Sequence, residues 1–239
     1  MLNLVIDKGN TCSKIAVFDD TEIVFFQKTN LLSCAFFESI FQKYPICKAL
    51  LSTVSGVEDS VLDFLSQKCN LTIFSTKTTM PIKIAYTTPN TLGCDRLAAV
   101  LGAFFLRPHE NFIVIDCGTC ITYEVFVDGT YLGGSILPGM QMRFRALNSY
   151  TEALPLVQPE KNDLLFGEDT ISAIRTGVQN GIVNEIDGFI AAIKERFGDM
   201  SVFLTGGDCL FFEKCLKNRI FAVENLTLIG LNGLIKYNA

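Results

Sequence analysis

Two short segments of this chain carry the side chains that phosphate chemistry needs. Val5-Ile6-Asp7-Lys8-Gly9-Asn10-Thr11 returns as Val114-Ile115-Asp116-Cys117-Gly118-Thr119, an apolar run ending in Asp, then a Gly, then amide or hydroxyl side chains. An alternating stretch follows each copy, Lys14 to Phe18 and Ile121 to Val127, so each reads as a strand, a tight turn and a returning strand. At such a turn Gly permits close backbone approach or a positive φ, the amides and Asn or Thr side chains hold phosphate oxygens, and Asp holds a hydrated metal ion. Two copies facing each other would make a nucleotide clamp. Gly93-Cys94-Asp95-Arg96 adds a carboxylate and a guanidinium at the head of an apolar helix, and Thr205-Gly206-Gly207-Asp208 adds a glycine turn after a strand.

The elements that position these groups follow from periodicity. Leu2 to Ile6, Lys14 to Phe18 and Glu22 to Gln27 read as an antiparallel meander, and Asp19-Asp20-Thr21 is the tight connection between the last two. A helix over Ser33 to Lys43, a strand over Ala49 to Val54, a helix over Glu58 to Gln67 and a strand over Leu71 to Phe74 come next. Phe112 to Asp116, Ile121 to Val127 and Tyr131 to Leu137 restart the order. Helical stretches then run from about Asp169 to Arg196, with Gly177, Gly181 and Gly188 as expected breaks. A strand over Ser201 to Thr205, a helix over Leu210 to Leu216, a strand over Ile220 to Val223 and a helix over Leu228 to Tyr237 close the chain. The expected fold is α/β: two duplicated ribonuclease-H-like lobes with mixed sheets around a central cleft, residues 1–110 and 111–239. The length suits two lobes of that size.

Composition narrows the partners. A formal charge of −5 with no Lys/Arg run gives no field for nucleic acid. The longest apolar stretch, Leu97 to Leu106, falls well short of the roughly 20 residues that span a bilayer, and no basic signal-peptide start precedes the first turn. The expected location is the cytoplasm, without a membrane. Nine cysteines, an odd number, fit reduced thiols rather than a disulfide framework, and Cys117-Gly118-Thr119-Cys120 lacks the second ligand pair that zinc would need. His109 is the only histidine and sits beside Pro108, which excludes a catalytic His triad.

The ordered set of motifs resembles the sugar kinase/Hsp70/actin superfamily (actin-like ATPases) and, within it, type III pantothenate kinases. The pieces that carry the resemblance are the two Asp turns, Tyr86 ahead of Leu92-Gly93-Cys94-Asp95-Arg96, Gly133-Gly134-Ser135-Ile136-Leu137-Pro138-Gly139, Ala153-Leu154-Pro155, Thr170 to Gly177, Thr205-Gly206-Gly207 and Leu226 to Leu231. The resemblance implies transfer of the γ-phosphoryl group of ATP to the primary hydroxyl of pantothenate. ATP and phosphate would meet Asp7, Lys8, Gly9, Asn10, Thr11, Gly118, Thr119, Gly206 and Gly207, with Asp7 and Asp116 holding Mg²⁺ largely through water. Asp95 would act on the acceptor hydroxyl, Arg96 would meet the pantothenate carboxylate, and Tyr86 and Gly93 would complete that pocket. Thr170 would reach the pantothenate site of a neighbouring subunit, which implies a homodimer.

Several of these residues also have plain structural readings. Asp95 and Thr170 suit helix caps, Arg96 a surface salt bridge, and Lys8 either phosphate or solvent. Where the family has T-x-D, this chain has Thr122-Tyr123-Glu124. Glu124 is therefore a candidate ligand for a monovalent cation, K⁺ or NH₄⁺, or else a solvent-facing strand carboxylate. The alternatives at the level of function are a non-catalytic nucleotide-binding accessory protein of the same fold and a kinase for another small hydroxy acid or sugar. The first is disfavoured because Asp7, Asp95, Arg96 and Asp116 are all retained.

Overall fold

Strands rich in branched and aromatic residues build an opening meander of β1 (Leu2–Lys8), β2 (Ser13–Asp19) and β3 (Glu22–Thr29). The β2–β3 turn places Asp20 at φ 52°, a left-handed position that Asp tolerates better than most residues. In this computed structural model, which describes residues 2–161 and 163–239, the chain continues through α1 (Cys34–Phe41), β4 (Ile46–Thr53), α2 (Asp59–Lys68) and β5 (Asn70–Ile73). β4 pairs parallel to β1 and β5 parallel to β4, giving the order β3-β2-β1-β4-β5. The short β6 (Lys83–Ile84) and a 3₁₀ turn (Pro89–Thr91) lead to α3 (Cys94–Leu106).

The same plan then repeats. β7 (Phe112–Cys117), β8 (Cys120–Val127) and β9 (Thr130–Pro138) form the second meander, and its β8–β9 turn has Asp128 at φ 49° followed by Gly129 at φ 74°. After α4 (Met140–Ser149) and α5 (Thr170–Phe197), β10 (Ser201–Thr205) pairs parallel to β7. α6 (Cys209–Glu213) leads to β11 (Phe221–Ala222), which is parallel to β10, and α7 (Leu226–Tyr237) closes the fold. The sheet order is β11-β10-β7-β8-β9-β6, and apart from the added edge strand β6 it matches the first sheet when read in reverse. The ribonuclease-H-like duplication expected from the element order is therefore present in the strand pairing.

Two compact units result. The first contains residues up to His109 with Gly129–Leu132 and Asn225–Ala239, and the second contains Glu110–Asp128 and Gly133–Glu224. A single cut after residue 110 thus omits α7 from the unit it packs in. The reason is steric and apolar. Cβ atoms at Gly102 of α3 and Gly230 of α7 would stand 2.1 and 2.0 Å from the carbonyl oxygens of Leu226 and Ala98, so only glycines let the two helices mesh. On the other face of this sheet Leu4, Ile6, Ile15 and Val17 bury against Phe37, Ile40, Val61 and Leu65 of α1 and α2.

The second unit corrects one expectation. Gly177, Gly181 and Gly188 do not break the helical stretch, because α5 is continuous over 28 residues. Each glycine costs about 1 kcal/mol relative to Ala. Against this, Ile174, Val178, Ile182, Ile186 and Ile190 form one buried stripe over the second sheet, at about 1.5–3 kcal/mol each. A capping box also fixes its start, with Asp169 accepting from the Ile171 and Ser172 amides at 2.9 and 3.1 Å. Among the described residues no helix is long and apolar enough to cross a membrane.

Candidate active site

In the first unit Asp7 is the penultimate residue of β1 and is only 8% exposed. Its strand neighbours are Lys14 on the antiparallel side and Ser52 on the parallel side. The Thr227 hydroxyl, at the start of α7, donates to Asp7 Oδ2 at 3.2 Å. Burial pushes the Asp7 carboxyl above its ordinary value. The Lys14 ammonium and the Thr227 hydrogen bond oppose the shift, and the Asp95 charge adds to it. Asp7 and Asp95 are thus close enough to feel each other. The Cys94 thiol is raised by burial and by both carboxylates, and it donates to the Phe74 carbonyl at 3.5 Å.

The Gly9 amide donates to the Cys12 carbonyl at 3.2 Å, closing the turn with Asn10 and Thr11 exposed at its tip. The Lys8 ammonium donates to the Gly56 carbonyl in the loop after β4, at an exposed position.

Asp95 is not the cap of α3. Gly93 holds that position, and Asp95 Oδ1 accepts from the Arg96 amide at 2.8 Å. A Cβ on Gly93 would stand 2.5 Å from that same oxygen, so the glycine leaves room for the carboxylate to turn inward over the helix start. Arg96 is buried, at 6% exposure, rather than at the surface. Its guanidinium carbon lies 5.7 Å from the centroid of the Tyr86 ring, a cation–π arrangement. Tyr86 in turn stacks on Tyr131 with centroids 6.2 Å apart and planes within 10°. Asp7, Asp95, Arg96 and Tyr86 therefore belong to one cluster in which two carboxylates and a guanidinium are held on strand and helix ends.

In the second unit Asp116 occupies the same place on β7, with Thr122 and Thr205 as its strand neighbours. Gly118 donates to the Cys120 carbonyl at 3.1 Å, and Thr119 lies exposed at the tip. Two further glycines wall this turn. A Cβ on Gly206, which sits at φ +94°, would come within 2.4 Å of Asp116 Oδ1 and 2.5 Å of the Cys117 carbonyl carbon. One on Gly139 would come within 2.4 Å of the Gly118 oxygen. Gly139 donates to the Thr119 carbonyl at 3.1 Å and Asp208 to that of Cys117 at 2.9 Å. Gly207 is open, with nothing near its Cα hydrogen position. Burial raises both the Asp208 carboxyl and the Cys117 thiol, so Cys117 is no ready nucleophile.

Glu124 is fully buried on β8, which removes the solvent-facing reading. Thr170 is the first residue of α5, exposed, and relieved of capping by Asp169. Among the described residues no three His, Cys, Asp or Glu side chains converge to cage a metal. Beside the Asp7 carboxylate the Thr227 and Ser52 hydroxyls offer oxygen. The Ser52 hydroxyl, in register beside it, is buried without a hydrogen-bond partner. One or two carboxylates with hydroxyls and water suit Mg²⁺, which keeps much of its own hydration.

Sequence reading missed Thr227, Ser52 and the wall formed by Gly139. For Gly139 the signal was present in Pro138-Gly139 at the end of β9. Arg143 fixes that segment by donating from Nε to the Pro138 carbonyl at 2.8 Å while gripping Glu185 with both terminal nitrogens at 2.9 and 3.1 Å.

Comparison with known proteins agrees with this geometry. The solved structure of a putative 2-dehydro-3-deoxygalactonokinase from Sinorhizobium meliloti superposes with a TM-score of 0.64 over 99% of both chains at 11% identity. That of a conserved putative Baf family transcriptional activator from Campylobacter jejuni does so with a TM-score of 0.62 over 98% of both at 22% identity. At such identities the likeness shows the fold alone, that of the sugar kinases and actin-like ATPases. The type III pantothenate kinase of Bacteroides fragilis is 44% identical over 99% of this chain and 98% of its own length. The model of that family matches residues 3–192, a span that takes in both Asp turns and the Asp95 helix start. By motif, fold and full-length similarity together, the chain belongs to the type III pantothenate kinase family.

Proposed function

We propose that this chain phosphorylates the primary hydroxyl of pantothenate with ATP, giving 4'-phosphopantothenate and ADP at the first step of coenzyme A biosynthesis, in the cytoplasm. The observation that carries the reading is the cluster of Asp7, Asp95 and Arg96 in a family member of full-length similarity. Phosphoryl transfer needs positioning and charge neutralisation more than covalent help. Arg96, oriented by the Tyr86 ring, pairs with the acceptor carboxylate. Asp95 accepts the hydroxyl proton as that oxygen bonds to the γ-phosphorus and the bond to the ADP oxygen breaks. Asp7 in one turn and Asp116 in the other are the carboxylates that would hold Mg²⁺, which when bound would neutralise phosphate charge. The two Gly turns, through the exposed side chains of Asn10, Thr11 and Thr119, and the open backbone at Gly207 beside Gly206 bind the nucleotide. Glu124, buried on β8 at the place of the family's acidic residue, is assigned to the monovalent cation, K⁺ or NH₄⁺, on the family resemblance.

An ADP-release assay across pantothenate, acetate and hexoses tests the acceptor. Activity confined to pantothenate is expected, and a preference for a hexose would overturn the assignment. Asp95→Asn is expected to lower turnover by about 10²–10⁴-fold with nucleotide binding retained.

The second unit also supports a homodimer. An apolar groove of about 610 Å³ runs between α4 and α5, with Leu147, Leu154, Ile174 and Val178 in its walls and Thr170 at its edge. Leu165 and Phe166 nearby in sequence are 86% and 67% exposed, an apolar surface that a second copy would cover. With Thr170 completing the partner's acceptor site, mixing Asp95→Asn and Thr170→Val chains should restore part of the lost activity. No recovery despite proven subunit exchange would reject the shared site.

A further inference from the structure

A second cavity, of about 420 Å³, lies at the β5 edge of the first sheet, between β4, β5 and the last turn of α7. Its floor is apolar, made by Leu50, Leu234 and Ile235. Its polar wall is donor-rich. Lys48 projects from β4 and Lys77 from the loop after β5, no carboxylate lines the cavity, and neither ammonium is in an ion pair among the described residues. Two unneutralised cations in one cavity are unusual in a chain of net charge −5.

The loop between them is folded so as to offer further donors. Ser75 Oγ accepts from the Lys77 amide at 3.3 Å, Thr78 Oγ1 accepts from the Ser75 amide at 3.1 Å, and the Thr78 amide closes on the Ser75 carbonyl at 3.0 Å. With their lone pairs engaged by the loop, both hydroxyls have a proton to give to another acceptor. Asn238 fastens the far wall by donating to the Thr79 and Leu234 carbonyls, each at 3.0 Å. The carbonyl end of α7 contributes a fractional negative charge here, which one ammonium is more than enough to offset.

We infer that this cavity binds a small organic oxyanion, a phosphate or carboxylate head between Lys48 and Lys77 with a short apolar body on the Leu50, Leu234 and Ile235 floor. The site is distinct from the Asp7 turn and from the acceptor cluster at Asp95.

Butyl phosphate, butyrate and inorganic phosphate, titrated with saturating MgADP present to fill the phosphate turns, test the assignment and separate the two head groups. Calorimetry should give one site of millimolar affinity or tighter for butyl phosphate, butyrate or both. Inorganic phosphate should bind about tenfold or more weakly, because it lacks the buried carbons. Amide shifts in the NMR spectrum should concentrate at residues 75–79 and 234–238. Lys48→Gln with Lys77→Gln should weaken binding by about 100-fold, as the loss of two charge-assisted contacts predicts, while turnover stays unchanged. Absence of binding to the wild-type protein, shifts centred elsewhere, or undiminished affinity in the double variant would overturn the site. Equal affinity for inorganic phosphate would overturn the apolar part of the ligand. Should the double variant unfold, the wild-type shift map decides alone.

Discussion

The two Asp turns are copies in topology and opposites in environment. Around Asp7 the chain leaves four residues between the last paired positions, Lys8 and Ser13, and around Asp116 only three, between Cys117 and Ile121. Asp7 is buried, faces Lys14 across the strands, and accepts a hydrogen bond from Thr227. Asp116 is half-exposed, faces Thr122, and is walled by the backbone of Gly139 and Gly206. Duplication therefore reproduced the strand-turn-strand geometry around each Asp, while the surroundings diverged. The first turn holds a charge that wants a counter-ion, and the second is a narrow backbone slot.

If that division is right, adding a methyl group should matter far more at the second turn than at the first. Gly206→Ala places a Cβ against Asp116 and Cys117 at a backbone conformation that Ala resists, so a stability loss of about 3 kcal/mol or more and loss of nucleotide binding are expected by thermal melt and titration. Gly9→Ala meets only the Cys12 oxygen, at 3.2 Å, and should cost under about 1 kcal/mol. Comparable losses at both positions would erase the contrast.

The aspartates offer a second lever. Both Asp7→Asn and Asp116→Asn should weaken Mg-nucleotide binding by about 10–100-fold, the usual scale for groups that hold a metal through its outer shell. Only Asp7→Asn should also stabilise the metal-free protein, by about 1 kcal/mol, or about 2–4 °C in Tm for a chain of this size. The sign follows from burial, which keeps the native carboxyl above the value it has in the unfolded chain. The native state then binds that proton more tightly, so stability is greatest below the ordinary carboxylate range and falls as pH rises through the native value. Melts across pH should show this descent in the wild type and a flatter curve in Asp7→Asn. An equal gain from Asp116→Asn would contradict the contrast.

The smallest expected effect belongs to Thr227. Thr227→Val removes the one hydroxyl seen donating to Asp7 and should weaken Mn²⁺ affinity, measured by paramagnetic titration, by several-fold, with Thr227→Ser restoring it. A loss of stability alone, with metal affinity intact, would make Thr227 merely part of the α7 packing.

Much of this was readable in the chain because both turns advertise themselves locally. Asp, Gly and a hydroxyl or amide residue are contiguous, and strand alternation on either side fixes which end of the strand they occupy. The Asp95 helix start is similarly local. Thr227 is a single hydroxyl in an apolar helix, and nothing nearby in sequence distinguishes it from an ordinary helix-start residue, because its partner lies on the first strand. Asn232, which accepts from Asn3 at 3.0 Å and donates to the Asp20 carbonyl at 2.7 Å, is hidden for the same reason. The continuity of α5 was misjudged because propensity counts each glycine, whereas the buried isoleucine stripe is a property of the packed unit. The acceptor roles of Arg96 and Tyr86 came from family resemblance. Their stacking is a tertiary fact that spacing does not encode.

The placement of α7 has a consequence for how the molecule comes into being on the ribosome. Gly102 and Gly230 interlock α3 with α7, and a row of α3 residues from Arg96 to Ala103 is buried in the finished unit. During synthesis that apolar row is made long before its cover, since the whole second unit is translated in between. The first sheet can assemble its α1 and α2 face early, but its other face must wait, exposed and open to wrong partners, until segment 225–239 arrives. The same late segment delivers Thr227 to Asp7. Completion of the Asp7 cluster thereby waits for α7, and a nascent chain stalled short of it would carry Asp7 and Asp95 without the helix that packs against them.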